Sequence, residues 1–311
     1  MSDLLQILSL ASAAAKIAEF TAKSSAGFFR ILDSLFNKRI VVRKLITSDA
    51  ITSYKLGELH EKAFPDGSDS FNQILKWIDE TKDNALKSES KDILFFARQG
   101  KNVLGYVFFQ FYQETGLIFI SYFAIDKNAK LERGLIVQKI IEKLITHARK
   151  NRYNWKFVIG EFEEFRFFGP KQAARRRAEG VMTTFIQSLD HINRKFGSTY
   201  KIYRIMLSYR FPALTPMSVE EHKLLRREKT EQRLIVIPNE NQNIRRIDGS
   251  LYLDELVVRE IISNLYQRDY ADAYPRDAAY HQYLRDEMNE ILKDVNGLVK
   301  ITDDPHAVLG A

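Results

Sequence analysis

Between Leu117 and Lys150 the pattern of apolar positions changes its period. The stretch "LIFISYFAID" is almost continuously apolar, a short polar segment follows, and "GLIVQKIIEKLITHARK" repeats its apolar residues every three or four positions. The first reads as a buried strand and the second as an amphipathic helix that starts beside Gly134. Upstream, "KRIVVRKLI" reads as a strand. "TSDAITSYKLGELHEKAFP" reads as a helix capped by Ser48 or Asp49 and stopped at Pro65, and "SFNQILKWIDETKDN" as a second helix with Phe71, Ile74, Leu75 and Ile78 on one face. "DILFFARQGKNVLGYVFFQFYQETGLIFISYFAID" contains three apolar runs parted by "RQGKN" and "QETG", which predicts three consecutive antiparallel strands. Beyond the Gly134 helix come a strand in "WKFVIGEFEEF", a helix in "EGVMTTFIQSLDHINRKFG" ending at Gly197, and a strand in "YKIYRIMLSYRFPAL" ended by Pro212.

The two ends differ from this middle. Leu4, Ile7, Leu8, Ala11, Ala15, Ala18 and Ala22 fall at helical spacing and predict an N-terminal amphipathic helix, whose face docks on the core, lies on a membrane or meets a partner. After the charged run Met217 to Arg233, "RLIVIPNENQ" reads as a strand, "SLYLDELVVREIISNLYQRDY" as a helix starting after Asp248 and Gly249, and "RDAAYHQYLRDEMNEILKDV" as a last helix. The organisation expected is a helix over 1–38, an α/β domain over 39–216 and a mainly helical extension over 217–311. Tyr266, Tyr270, Tyr274, Tyr280 and Tyr283 of the extension either pack on the core or line an interface with a second copy or another protein.

Composition narrows the function. With 311 residues, 45% of them hydrophobic, the chain can bury a large core. The net charge of +7, from 47 basic and 40 acidic residues, favours an anionic ligand, although the signs are interspersed as on any soluble surface. The absence of cysteine excludes disulfides, thiolate metal sites and cysteine nucleophiles, and fits a cytoplasmic protein. The six histidines show no HxxxH or HExxH spacing, so no metal site is expected. No apolar run reaches the ~18 residues of a spanning helix.

The order strand, helix, helix, three strands, helix, strand, helix, strand over Ile40 to Leu214 resembles the GNAT superfamily of N-acyltransferases. In that family the fourth strand splays from the fifth, acyl-coenzyme A lies in the gap, and the next helix receives the cofactor pyrophosphate on its amides. The resemblance places Gly134 at the central glycine of the family's phosphate turn, while Leu131 and Ile136 depart from it. It implies acetyl-CoA (acyl-CoA) as cofactor, held by backbone around Phe123, Ala124 and Ile125 and by Lys130, Arg133, Gly134, Leu135 and Ile136, with the branched side chain of Ile136 expected to crowd the gap. "VIGEFEEFRFFGPKQAARRRAEG" and "YRFPAL" are similar to a subgroup of large bacterial GNAT-like proteins of unassigned substrate, through Gly160, Glu161, Arg175 to Arg177, Tyr209 and Pro212 to Leu214.

Direct transfer of an acyl group from a thioester to an amine needs a base, oxyanion donors and an acid for the leaving thiolate. Glu161 is the first candidate for the base and Glu163 the second; a salt bridge from Glu161 to Arg175, Arg176 or Arg177 is the structural alternative. For the acid the candidates are Tyr200, Tyr203 and Tyr209, with Tyr209 favoured by its place in the closing motif, and Tyr122 on the fourth strand is a further candidate whose competing reading is core. "AARRRAE" lacks interleaved aromatic residues and reads as a solvated helix face rather than a nucleic-acid site. Two functions compete: an N-acyltransferase acting on an amine of a small molecule or protein, and a catalytically silent GNAT-like module that binds proteins.

Overall fold

The computed structural model describes residues 40–64, 70–83, 90–129, 132–163, 172–209, 212, 219–220, 232–240 and 243–304. The helix expected over 1–38, Lys130, Leu131 and most of the charged run after Met217 lie outside these residues.

Four strands, β1 (Ile40–Lys44), β2 (Ser90–Gln99), β3 (Asn102–Tyr112) and β4 (Leu117–Ile125), pair antiparallel in sequence order. The predicted turns join the last three. At Gly116, φ is +71° and a Cβ would stand 2.5 Å from the Asn154 carbonyl oxygen, so the β3–β4 hairpin needs glycine for conformation and for space. Helices α1 (Ala50–Ala63) and α2 (Phe71–Asp83) come between β1 and β2, and Asp49 caps α1 by accepting from the Thr52 N–H at 3.1 Å.

Next in the chain are α3 (Arg133–Lys150), β5 (Phe157–Glu163), α4 (Gln172–Phe196) and β6 (Tyr203–Ile205). The last strand is much shorter than "YKIYRIMLSYRFPAL" suggests. Past Met206 the chain turns, with the Tyr209 N–H bonded to the Leu207 carbonyl, and this turn carries the Tyr209 ring into the interior. Strand β7 (Gln232–Pro238) inserts between β5 and β6, so the sheet runs through the boundary expected at residue 216.

The extension contains more strand than its apolar spacing suggests. "SLYLD" does not open a helix: β8 (Ile244–Ile247) and β9 (Ser250–Asp254) form a hairpin, and Asp248 and Gly249 at φ 47° and 76° make its two-residue turn. Helix α5 (Glu255–Asn264) starts after the hairpin, capped by Asp254, and continues through a π turn (Leu265–Asp269) into α6 (Tyr270–Ala273). Helix α7 (Ala278–Leu292) and a further strand, β10 (Leu298–Thr302), complete the described fold. The ten strands form one sheet in the order β1-β2-β3-β4-β5-β7-β6-β10-β9-β8, and among these pairs only β4 and β5 are parallel.

Alternation along the strands separates the two faces. Val107 and Phe109 of β3 join Val158 of β5 and Ile237 of β7 in a core under α3 and α4. Tyr106 and Phe108 point the other way, under α1 and α2, and on that face Phe157, Ile159 and Val236 pack under α5, the π turn and α7. The protein is thus an α/β (α+β) fold with a mixed, mostly antiparallel sheet between helical layers.

Candidate functional site

Strands β4 and β5 begin as a pair and then part. Their ladder runs from Leu117↔Phe157 to Ile120↔Gly160, and Tyr122 to Ile125 continue paired to β3 alone. A bulge sits at the parting: β3 steps from Phe108 to Phe109 while β4 steps from Tyr122 to Ile120, leaving Ser121 as the extra residue. Such an insertion bends its strand and adds twist. Ser121 is held there by its hydroxyl, which donates to Gln110 Oε1 at 2.9 Å. The result is a fork, with Phe123, Ala124 and Ile125 on one prong and Glu161 as the first β5 residue beyond the vertex.

The chain leaves the β4 prong through Asp126 and enters α3. The N-cap of this helix, Glu132, makes no capping side-chain bond, and the first ladder bond runs from the Ile136 N–H to the Glu132 carbonyl at 2.9 Å. The amides of Arg133, Gly134 and Leu135 therefore precede the ladder, at the positive end of the helix dipole. Gly134 is exposed, and among the described residues a Cβ there would meet only Thr184 Cγ2, at 3.8 Å, which leaves the backbone at this turn open to approach. Arg133 Nε is buried without a hydrogen-bond partner among the described residues. A buried guanidinium nitrogen lacking an acceptor is costly, and an anionic phosphate oxygen would satisfy it.

Ile136 does not crowd the fork. Its side chain is fully buried in the core under α3, and its Cγ2 lies 3.3 Å from where a Cβ on Gly105 of β3 would be. The same imagined Cβ would be 2.8 Å from the Ala124 carbonyl oxygen, so Gly105 allows α3 and the β4 prong to sit close against β3. Leu135, partly buried, packs on the same core, and Phe123 meets Phe185 of α4 edge to face with ring centroids 6.4 Å apart.

On the opposite face, Glu161 and Tyr209 come together although 48 positions separate them. Tyr209 O–H donates to Glu161 Oε1, and Tyr270 O–H donates to Glu161 Oε2 at 2.6 Å. Glu161 keeps some solvent contact, but protein crowds its carboxyl group, and this burial raises its pKa from 4.5 to about 7 against the opposing pull of the two hydroxyls. Burial, followed by the neighbouring Glu161 charge, pushes Tyr209 and Tyr270 well above the ordinary tyrosine value, so both remain O–H donors. The side chains of Glu163 and of Arg175 to Arg177 lie outside the described residues, while Tyr200 is buried in the core on the face opposite Tyr209 and Tyr203 in the same core as Tyr209. Tyr122 belongs to an aromatic cluster with His60, Phe64 and Phe108, in keeping with its reading as core. Tyr270 is the site residue that sequence reasoning passed over, because nothing local distinguishes it from the other tyrosines of the extension.

A fourth strand parting from the fifth, followed directly by a helix with an open glycine turn, is the arrangement described above for one superfamily. The arrangement resembles the GNAT acyltransferase fold. Solved GNAT structures are similar to it at low identity. An N-acetyltransferase from Staphylococcus aureus Mu50 is 12% identical with a TM-score of 0.36, over 64% of this chain and 96% of its own. A Salmonella typhimurium protein described as an acetyltransferase and solved with acetyl-CoA is 12% identical with a TM-score of 0.37, over 66% and 96%. The aminoglycoside 6'-N-acetyltransferase of Enterococcus faecium is 8% identical with a TM-score of 0.37, over 63% and 94%. No family model and no curated protein sequence matches the chain. Among the described residues, no helix is long and apolar enough to cross a membrane, and no group of three or more His, Asp or Glu is placed to hold a metal ion.

Proposed function

We propose that this protein is an N-acyltransferase that moves an acetyl (acyl) group from acyl-CoA to a primary amine by direct attack. The observation that carries the reading is the fork between β4 and β5, with the uncapped N-terminus of α3 and the unpartnered Arg133 Nε beside its opening. The amides of Arg133, Gly134 and Leu135 and the Arg133 guanidinium would hold the cofactor phosphates. Backbone at Phe123, Ala124 and Ile125, released from β5, would offer hydrogen-bonding groups to the rest of the cofactor. Acyl-CoA supplies the activated acyl group.

Glu161 takes the proton from the acceptor ammonium. A carboxylate with a pKa of about 7 is half ionised near neutrality and a far stronger base than an ordinary glutamate, which suits it to an amine. The phosphate turn and Glu161 lie toward opposite faces of the sheet, so donor and acceptor approach from two sides and meet at the fork. Tyr209 has its hydroxyl committed to Glu161 and no solvent exposure, and we assign it to holding the base rather than to protonating the leaving thiolate, which would take the second proton that the amine nitrogen loses as the amide forms. The acceptor is an amine of a small molecule or protein.

Initial rates against a panel of primary amines with acetyl-CoA, from about pH 6 to about pH 9, test the assignment. The wild-type rate is expected to rise through pH ~7 and level off, and Glu161→Gln to lose about 10²- to 10⁴-fold together with that inflection. Full activity of Glu161→Gln across the range removes Glu161 as the base.

A further inference from the structure

Glu161 receives two tyrosine hydroxyls, and one of them comes from outside the part of the chain that resembles an acyltransferase. Tyr270 lies 109 positions further along, at the start of α6, and takes Oε2 while Tyr209 takes Oε1. Tyr266 braces both donors edge to face, its ring centroid 6.3 Å from that of Tyr209 and 5.5 Å from that of Tyr270. The backbone is shaped for this contact. The Tyr270 N–H bonds the Leu265 carbonyl five residues back, closing a π turn in a helix that is otherwise α. One extra residue in a turn rotates everything after it by about 100° relative to a continuous α-helix. The segment is also pinned to the β3–β4 hairpin: Arg268 Nη2 meets Glu114 Oε2 at 2.6 Å, and the Tyr112 hydroxyl donates to Asp269 Oδ1 at 3.3 Å.

We propose that the C-terminal extension is a structural wall of the catalytic site, and that Tyr270 is a positioning residue that fixes the rotamer and basicity of Glu161. The inference rests on Glu161 being the base of the proposed reaction. A segment that merely covered apolar surface would need no hydroxyl facing a carboxylate, because burying a hydroxyl and a charged group is costly unless they bond each other. Here each carboxylate oxygen has one donor. The extension therefore closes the β5 side of the fork on this face.

The test compares full-length wild type, Tyr270→Phe and Arg268→Gln by ¹³C NMR titration of the Glu161 carboxyl, alongside pH–rate profiles. Removing a donor to the charged form favours the neutral acid, so Tyr270→Phe is expected to move the Glu161 midpoint upward by about 1 pH unit. It is also expected to lower kcat while leaving KM for acetyl-CoA unchanged. Arg268→Gln, which loosens the pin at a partly exposed pair, is expected to move the midpoint in the same direction by less. An unmoved midpoint in both variants overturns the proposal and leaves the segment as packing. A shifted midpoint in a protein that acetylates no amine supports the positioning contact and counts against the acyltransferase reading instead.

Discussion

Replacing Gly134 by alanine pushes stability and cofactor binding in opposite directions. Gly134 is the second residue of α3, exposed and in ordinary helical conformation, and among the described residues the new methyl would have one neighbour, Thr184 Cγ2 at 3.8 Å, an ordinary contact. Exchanging glycine for alanine in such a place restricts the unfolded chain without straining the folded one, a gain of about 0.5 kcal/mol so near the helix end. In a chain of this size that raises Tm by roughly 1 to 2 °C. The same methyl stands among the amides that precede the helix ladder, where a phosphate of the proposed cofactor would touch backbone. It is expected to cost about 1.4 kcal/mol or more of binding, a tenfold loss of acetyl-CoA affinity. Differential scanning fluorimetry of the free protein and calorimetric titration with acetyl-CoA measure the two effects on one preparation. A variant that is slightly more stable and binds at least tenfold more weakly fits a phosphate seat at this turn. A variant that gains stability and keeps full affinity refutes it.

Two further perturbations probe the supports of the site. Gly105→Ala would force a methyl to within 2.8 Å of the Ala124 carbonyl oxygen and 3.3 Å of Ile136 Cγ2. Urea unfolding should show a loss of about 1 to 3 kcal/mol, and an unchanged midpoint would mean that β3, β4 and α3 are not packed as tightly as described. Glu161 has a folded pKa of about 7, above its reference value of 4.5, so its contribution to stability is complete below about pH 4.5 and is lost as pH rises through about 7. Over that window wild type should lose stability relative to Glu161→Gln in thermal melts, and parallel curves would show that the carboxyl is not desolvated in the folded protein.

What could be read from the sequence was mainly local. The strands flanking Gly100 and Gly116, the cap at Asp49 and the helix after Asp126 follow from period and turn residues, and each is present. Asp248 and Gly249 carried a two-residue hairpin signal, but the apolar spacing of "SLYLDELVV" also fits a helix, and only pairing with β8 and β10 makes Ser250–Asp254 a strand. The side chain of Ile136 was expected in the cofactor gap because sequence fixes that α3 is a helix without fixing its rotation about its own axis. Packing against Gly105 supplies that rotation and buries the residue. Glu161 and Tyr209 were both singled out, yet their contact spans 48 positions and the Tyr270 contact spans 109, distances over which composition and period carry no pairing information. The orphaned Nε of Arg133 is likewise a property of the packed turn, invisible in the dipeptide Arg133-Gly134.

The most direct measurement is calorimetric titration of the full-length wild-type protein with acetyl-CoA, with Arg133→Ala alongside. The proposed function predicts one site of roughly micromolar affinity in wild type, weakened about tenfold or more in the variant as a charged phosphate contact is lost. No heat of binding from a wild-type protein that circular dichroism shows to be folded would contradict it.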